Sequence, residues 1–207
     1  VEKILIEELS KTRKNYSFLS EEIGSIENKD KDNIWIIDPI DGTTNFLHGI
    51  PQFAITIAVM EKGPSGASSI IAGTTFDPAR NEFFFAEKGK GAFFNGRRLR
   101  VSGRRHMADS LFSTGIPFLG RGSEDDHKQF IQELSNVMPR CAGIRRYGAA
   151  ALDMAWVAAG RLDGFWEHGL QVWDIAAGLL IVREAGGFVS DFASRDKAIE
   201  TGDVVAA

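Results

Sequence analysis

Short runs of β-branched and aromatic residues dominate the first half of the chain and predict strands. Turn signals separate these runs, among them Asn95-Gly96, a dipeptide typical of a tight hairpin. The runs are Ile34 to Asp38, Phe53 to Met60, Ser68 to Phe76, Glu82 to Ala86 and Gly91 to Phe94. Apolar residues at helical spacing from Val1 to Leu9 predict a helix before them, and we expect the sequence to start inside that helix because no capping residue precedes Val1.

The pattern changes at about residues 100–110, and helices then alternate with strands, which favours an α/β arrangement with a mostly parallel sheet. Ser123 can cap a helix whose apolar face runs from Phe130 to Met138. The other predicted elements are the helices Ala149 to Ala159 and Ile175 to Ala185, and the strands Leu111 to Thr114, Gly164 to Glu167 and Gly187 to Ser190. The sequence thus predicts an α+β half with an antiparallel sheet over residues 1–105 and an α/β half over residues 106–207.

Composition narrows the classes of protein that fit this pattern. With 207 residues and 43% hydrophobic composition the chain can bury a substantial core, and its formal net charge of −4 gives no general attraction for nucleic acid or anionic membranes. An arginine cluster between residues 97 and 105 could act locally, although a solvated loop is the commoner interpretation. A single cysteine, Cys141, excludes an internal disulfide, and no stretch has the apolar length of a membrane span. We therefore expect a cytoplasmic protein without a membrane role.

The strongest chemical signal is the run from Trp35 to Asn45, where a hydrophobic strand leads into Asp38 and Asp41. Two carboxylates so close repel each other when they are half buried, and a divalent cation is the natural compensating charge. Oxygen ligands without a nearby histidine or cysteine favour Mg²⁺ over zinc. The alternative is that Asp38 caps a loop while Asp41-Gly42 forms an ordinary turn.

Two further acidic elements strengthen the metal interpretation. Glu21 follows a short apolar segment that could deliver it beside the strand end, although a Glu-Glu pair is usually a solvated surface. Asp174 stands where the N-cap of a helix is expected, and a capping carboxylate at a cleft can also bind a metal ion. Gly89-Lys90-Gly91 lacks the context of a phosphate-binding loop, and the four histidines share no metal-binding spacing.

Three acidic elements, taken in their order along the chain, resemble the motifs of the inositol monophosphatase family. They are the paired glutamates at 21 and 22, the run Asp38-Pro-Ile-Asp-Gly-Thr43, and Trp173-Asp174, which is followed by Glu184-Ala-Gly-Gly187. The resemblance covers most of the chain. It implies a layered α-β-α-β-α sandwich, Mg²⁺ dependence, lithium sensitivity and a homodimer.

The resemblance also implies a role for each matching residue. Glu21, Asp38 and the carbonyl of Ile40 would hold one Mg²⁺, and Asp38, Asp41 and Asp174 a second. Thr43 would orient the attacking water, unless its hydroxyl bonds its own turn. Its acidic partner is expected before Val1. Backbone amides of Gly42 and Thr43 would face the phosphate, and the polyol site would use Gly148, Ala149, Ala150 and Glu167.

The implied reaction is hydrolysis of a phosphate monoester, with myo-inositol 1-phosphate as the leading substrate. Glu167 favours a polyol because a carboxylate can accept hydrogen bonds from hydroxyl groups; an exposed strand-end glutamate is its alternative. Fructose 1,6-bisphosphate, histidinol phosphate and 3′-phosphoadenosine 5′-phosphate remain open as substrates. A regulatory protein linked to RNA and transcription is the alternative from another class, supported in the sequence only by the arginine cluster.

Overall fold

The computed structural model describes residues 1–63, 65–118, 120 and 122–207, and the strands in these ranges form two sheets. The first sheet has the order β2-β1-β3-β4-β5-β6-β7-β8 and the second the order β10-β9-β11-β13-β12. The strands are β1 (Tyr16–Ser20), β2 (Gly24–Ile26), β3 (Asp30–Asp41), β4 (Ala54–Lys62), β5 (Ser68–Asp77), β6 (Glu82–Glu87), β7 (Gly91–Phe94), β8 (Arg97–Arg98), β9 (Leu111–Thr114), β10 (Gly143–Arg145), β11 (Gly164–Glu167), β12 (Val189–Ser190) and β13 (Val204–Ala206).

Six helices are present in the described ranges, together with short 3-10 turns at Met107–Asp109 and Met138–Arg140. They are α1 (Glu2–Thr12), α2 (Thr43–Leu47), α3 (Glu124–Val137), α4 (Ala150–Ala158), α5 (Val172–Glu184) and α6 (Ala198–Thr201). The predicted cap of α3 is confirmed, because the Asp126 amide donates to Ser123 Oγ at 3.2 Å. The short elements β2, α2, β10, α6 and β13 were not predicted.

The first sheet is antiparallel except where β1 joins it. Strand β1 runs parallel to β3, with Ser20 paired to Ile37, so both strands end at the same edge of the sheet. Glu21 and Asp38 each follow one residue after that pair. Parallel pairing therefore brings together two acids that stand seventeen positions apart in the sequence, at 21 and 38.

The second sheet is mixed: four of its five strands run in one direction, and β13 runs in the other. Strands β10, β9 and β11 are parallel, but β13 pairs antiparallel with both β11 and β12. The reversed strand, β13, follows the short helix α6 and lies between β11 and β12.

Helices α4 and α5 pack against each other and contact strands of both sheets, so they form a layer between them. Small residues make this packing close: a Cβ on Gly73 of β5 would lie 2.8 Å from the Cα of Ala177 in α5. Ile36 and Phe84 of the first sheet share one hydrophobic core with Ile175 of α5 and with Val204 of the second sheet. The core thus joins residues on both sides of position 105.

Helix α1 packs on β1 and β3 through an unexpected face. Ile4 of this helix and the preceding Val1 are 66% and 57% exposed, whereas Glu2 is only 3% exposed. None of the helices in the described ranges combines the length and apolar character that crossing a bilayer requires.

Candidate active site

A cavity of about 270 Å³ lies where the edges of the two sheets meet the first turns of α2, α4 and α5. Ten of the eleven residues predicted for the site line it. They are Glu21, Asp38, Ile40, Asp41, Gly42, Thr43, Gly148, Ala150, Glu167 and Asp174. Ala149 lies just behind the lining as the residue that precedes α4, and it is buried.

A bulge at the end of β3 aims Asp38 and Asp41 into this cavity. Asp38 pairs with Thr56 and Asp41 with Ala54, so the two residues Pro39 and Ile40 face a single residue of β4. In a regular strand, side chains three positions apart point to opposite faces. The extra residue restores a common face for the two carboxylates.

One carboxylate oxygen from each of Asp38, Asp41 and Asp174 lies within 4.8 Å of the others. Each of the first two is fixed by a backbone amide: Ile40 donates to Asp38 Oδ1 at 2.8 Å, and Ala151 of α4 donates to Asp41 Oδ2 at 2.7 Å. The second bond links the motif after β3 to the start of α4. The three acids therefore come from two distant segments and meet at one point.

Burial and mutual repulsion act strongly on these carboxylates. Burial, followed by the charges of Asp41, Glu21 and Asp174, raises the pKa of Asp38 to about 9. Burial and then the charge of Asp174 raise the pKa of Asp41 well above its usual range. Asp38 would therefore hold a proton at neutral pH unless another positive charge, such as a metal ion, took its place.

The position of Asp174 differs from the prediction of an N-cap. Helix α5 begins at Val172 with Gln171 as its N-cap, and Asp174 stands in the first turn. Its Oδ2 accepts from the Gln171 amide at 2.8 Å, which completes a capping box. The carboxylate thus still lies at the positive end of α5, where the helix dipole favours its charge.

The turn after Asp41 is tightly enclosed. Gly42 has φ +87°, and a Cβ there would lie 2.9 Å from the carbonyl oxygen of Gln52 and 3.1 Å from the Cβ of Ala149. Thr43 is exposed, and its hydroxyl donates to the Ile40 carbonyl at 2.9 Å, which is the local bond considered as its alternative role. Glycine is therefore required at position 42 by both conformation and space.

Glu167 at the end of β11 also lines the cavity. A Cβ on Gly115 would fall 1.9 Å from Glu167 Cδ, so the carboxyl group rests directly against the backbone that follows β9. Any side chain at position 115 would displace Glu167 from the cavity.

Three residues of this region were not found from the sequence. Arg146 is the one cationic side chain among the described residues that line the cavity. Its position two residues before the predicted site residue Gly148 is the sequence feature that could have indicated it. Asp153 is buried in α4, and its charge contributes to the raised pKa of Asp41. Asn45 is buried and donates from Nδ2 to the carbonyl oxygens of Gln52 at 2.8 Å and Tyr147 at 2.7 Å, which ties α2 to the segment before α4.

Comparison with known proteins now decides the family. The model of the inositol monophosphatase family matches residues 1–207. The chain belongs to the inositol monophosphatase family. An inositol-1-monophosphatase of Mesorhizobium japonicum is 54% identical over 205 residues, which cover 99% of this chain and 74% of the relative. A Nus factor SuhB of Pseudomonas aeruginosa is 46% identical over 208 residues, with 99% and 74% coverage.

A solved structure agrees with this assignment. The crystal structure of the extragenic suppressor protein suhB of Bartonella henselae matches with a TM-score of 0.93 and 50% sequence identity, covering 100% of this chain and 77% of that one. The expected fold of layered sheets and helices is thereby confirmed. As a member of the inositol monophosphatase family, the chain is a phosphatase, and the acidic cluster at its cavity is a group of residues that could bind metal.

Proposed function

We propose that this inositol monophosphatase family member hydrolyses myo-inositol 1-phosphate to inositol and phosphate in a Mg²⁺-dependent reaction. The observation that carries the proposal is the convergence of Asp38, Asp41 and Asp174 within 4.8 Å, in a cavity that Glu167 also lines. A compact cavity of about 270 Å³ suits a small phosphorylated polyol.

The chemistry of the ligands supports magnesium. The candidate ligands are carboxylate and carbonyl oxygens, and no histidine or cysteine is among the described residues that line the cavity. Glu21, Asp38 and the Ile40 carbonyl would hold one ion, and Asp38, Asp41 and Asp174 a second. When bound, Mg²⁺ supplies positive charge that stabilises the phosphate in the transition state and lowers the pKa of a water molecule.

The remaining residues would bind and orient the substrate. The amides of Gly42 and Thr43 would face the phosphate, and the Thr43 hydroxyl would exchange its bond to Ile40 for one to the attacking water. Gly148 and Ala150 would contact the ring, with Ala149 supporting them from behind. Glu167 would accept hydrogen bonds from substrate hydroxyls, which makes a substrate without these hydroxyls a poorer one.

Phosphate release from a panel of substrates tests this proposal. We expect the highest kcat/KM for myo-inositol 1-phosphate, no turnover in EDTA and full recovery with Mg²⁺. A higher kcat/KM for fructose 1,6-bisphosphate, histidinol phosphate or 3′-phosphoadenosine 5′-phosphate would overturn the assignment of the substrate. The proposed Mg²⁺-dependent hydrolysis of a phosphate monoester would stand. Inhibition by lithium and formation of a homodimer are also part of the proposal. The phosphate-release assay tests the first, and light scattering tests the second.

A second candidate function is regulation of transcription, because one of the relatives is named a Nus factor. The arginines at 97, 98, 100, 104 and 105 would provide the interaction surface. Arg104 contributes least, since it pairs with Asp163 at 3.0 Å. An RNA-binding measurement with wild type and Asp38→Asn separates the two functions, because binding through the arginines would survive loss of the metal site whereas catalysis would not.

A further inference from the structure

Glu2 is a buried acid outside the residues assigned to the site. It is 3% exposed, whereas Glu7 and Glu8 on the same helix are exposed and pair with Lys11. Within the described residues Glu2 has no cationic partner in an ion pair. Burying a carboxylate without a counter-ion is costly unless hydrogen bonds compensate its charge.

The hydrogen bonds that compensate Glu2 come from one short turn. Its Oε1 accepts from the Ser20 hydroxyl and from the backbone amides of Glu22 and Ile23, both at 3.3 Å. These donors lie on both sides of Glu21 in the sequence. The carboxylate of Glu2 therefore holds the turn that carries Glu21.

The other side of this turn is fixed by the sheet. The Glu21 amide donates to the Ile37 carbonyl at 3.3 Å, one residue before Asp38. Glu21 is exposed, so packing restricts its side chain little, and the geometry of its backbone sets the direction in which the side chain leaves the turn. The charge of Glu21 does act on Asp38, since it contributes to the raised pKa of that group.

We propose that Glu2 is a positioning residue for Glu21, which fixes the turn of residues 20–23 so that the Glu21 carboxylate faces Asp38 across the cavity. The inference rests on the proposed role of Glu21 as a metal ligand. Residues that orient a ligand through hydrogen bonds commonly change metal affinity about 10–100-fold when they are removed.

Direct Mn²⁺ binding to the full-length protein, measured by electron paramagnetic resonance, tests the proposal without relying on activity. We expect Glu2→Ala to weaken the affinity of the Glu21-dependent site by about 10-fold or more. Glu2→Gln keeps an acceptor oxygen in the same place and should restore most of this affinity. Ser20→Ala removes one donor and gives a milder loss, which keeps the test available if Glu2→Ala does not fold.

Two controls separate positioning from general stability. Glu7→Ala changes an exposed acid of the same helix and should leave Mn²⁺ affinity unchanged. Ser17→Ala removes the partly buried bond from the Ser17 hydroxyl to the Asp30 carbonyl, so it should lower the unfolding temperature while leaving Mn²⁺ affinity unchanged. If Glu2→Ala lowered only the unfolding temperature, like Ser17→Ala, Glu2 would be a structural anchor and the inference would be wrong. If wild type and Glu21→Ala bound Mn²⁺ alike, the ligand assignment of Glu21 would fail instead.

Discussion

At the residue scale, the site depends on one extra residue in β3. The bulge at Pro39 and Ile40 turns Asp38 and Asp41 to the same side, where they lie near Asp174. Burial then makes their negative charges costly in the metal-free protein. Asp38 and Asp41, which would bind a cation, therefore destabilise the fold without one.

Replacing Asp38 with asparagine should separate stability from activity. We expect Asp38→Asn to reduce kcat/KM by about three orders of magnitude or more, the scale for removing one member of a catalytic unit. The metal-free variant should unfold at a higher temperature than the metal-free wild type, because asparagine is neutral and the folded protein no longer has to keep a buried carboxyl group protonated. Thermal unfolding in EDTA and phosphate release in Mg²⁺ measure the two effects, with the exposed Asp125→Asn as control. Wild-type turnover by Asp38→Asn would disprove its assignment as a metal ligand.

The raised pKa of Asp38 also predicts a dependence of stability on pH. Its pKa is about 9 in the folded protein and about 3.9 in the unfolded chain, so between these values the folded state keeps a proton that the unfolded state loses. Stability of the metal-free protein should therefore fall as the pH rises from about 4 to about 9. To isolate the contribution of Asp38, the free energy of unfolding in EDTA is measured against pH for wild type and for Asp38→Asn. The difference between the two slopes is the contribution of Asp38. Equal slopes would show that Asp38 is ionised without metal.

At the element scale, the sequence identified regular structure where the local pattern was long. The strands β3 to β7 and the helices α3, α4 and α5 all follow predicted segments, with ends shifted by a few residues. Short elements such as β10 and β13 could not be found, because three residues carry too little pattern and owe their conformation to neighbouring strands. The start of α5 was misplaced because Gln171 is an uncommon N-cap.

Close packing of α5 on β5 gives a prediction of its own. Gly73→Ala would place a methyl group 2.8 Å from the Ala177 Cα, which is backbone and cannot move aside independently of α5. We expect a loss of about 1–3 kcal/mol in the free energy of unfolding, measured by urea titration. Gly103→Ala is the matched control, because a Cβ there meets nothing within 4 Å. A Gly73→Ala protein as stable as the control would mean that the helix can shift at little cost.

At the scale of the whole molecule, the two sequence halves share a core. Helix α5, from the second half, covers Ile36 and Phe84 of the first sheet. A fragment of residues 1–105 would expose that face, so we expect it to show no cooperative thermal transition. A sigmoidal melt and a dispersed NMR spectrum from the fragment would instead support an independent domain over 1–105.

Sequence reasoning found most of the site because its acids lie in local motifs that a resemblance could match. The resemblance implied that Asp38, Asp41 and Asp174 converge and that Glu21 lies at the same cavity, and sequence spacing alone could not have given this. Glu2 and Arg146 were missed for a physical reason. A lone glutamate on a helix and an arginine in a loop usually face solvent, and only the fold shows that Glu2 is buried and that Arg146 lines the cavity.

The hydrogen bond from the Ala151 amide to Asp41 joins positions 110 residues apart. Contacts of such long separation close large loops and are expected to form late during folding. A chain that has formed only its first sheet would hold Asp38 and Asp41 without the partner segment that fixes them. Uptake of a divalent cation during refolding should consequently lag behind the recovery of secondary structure, which makes it a kinetic marker for the last step of assembly.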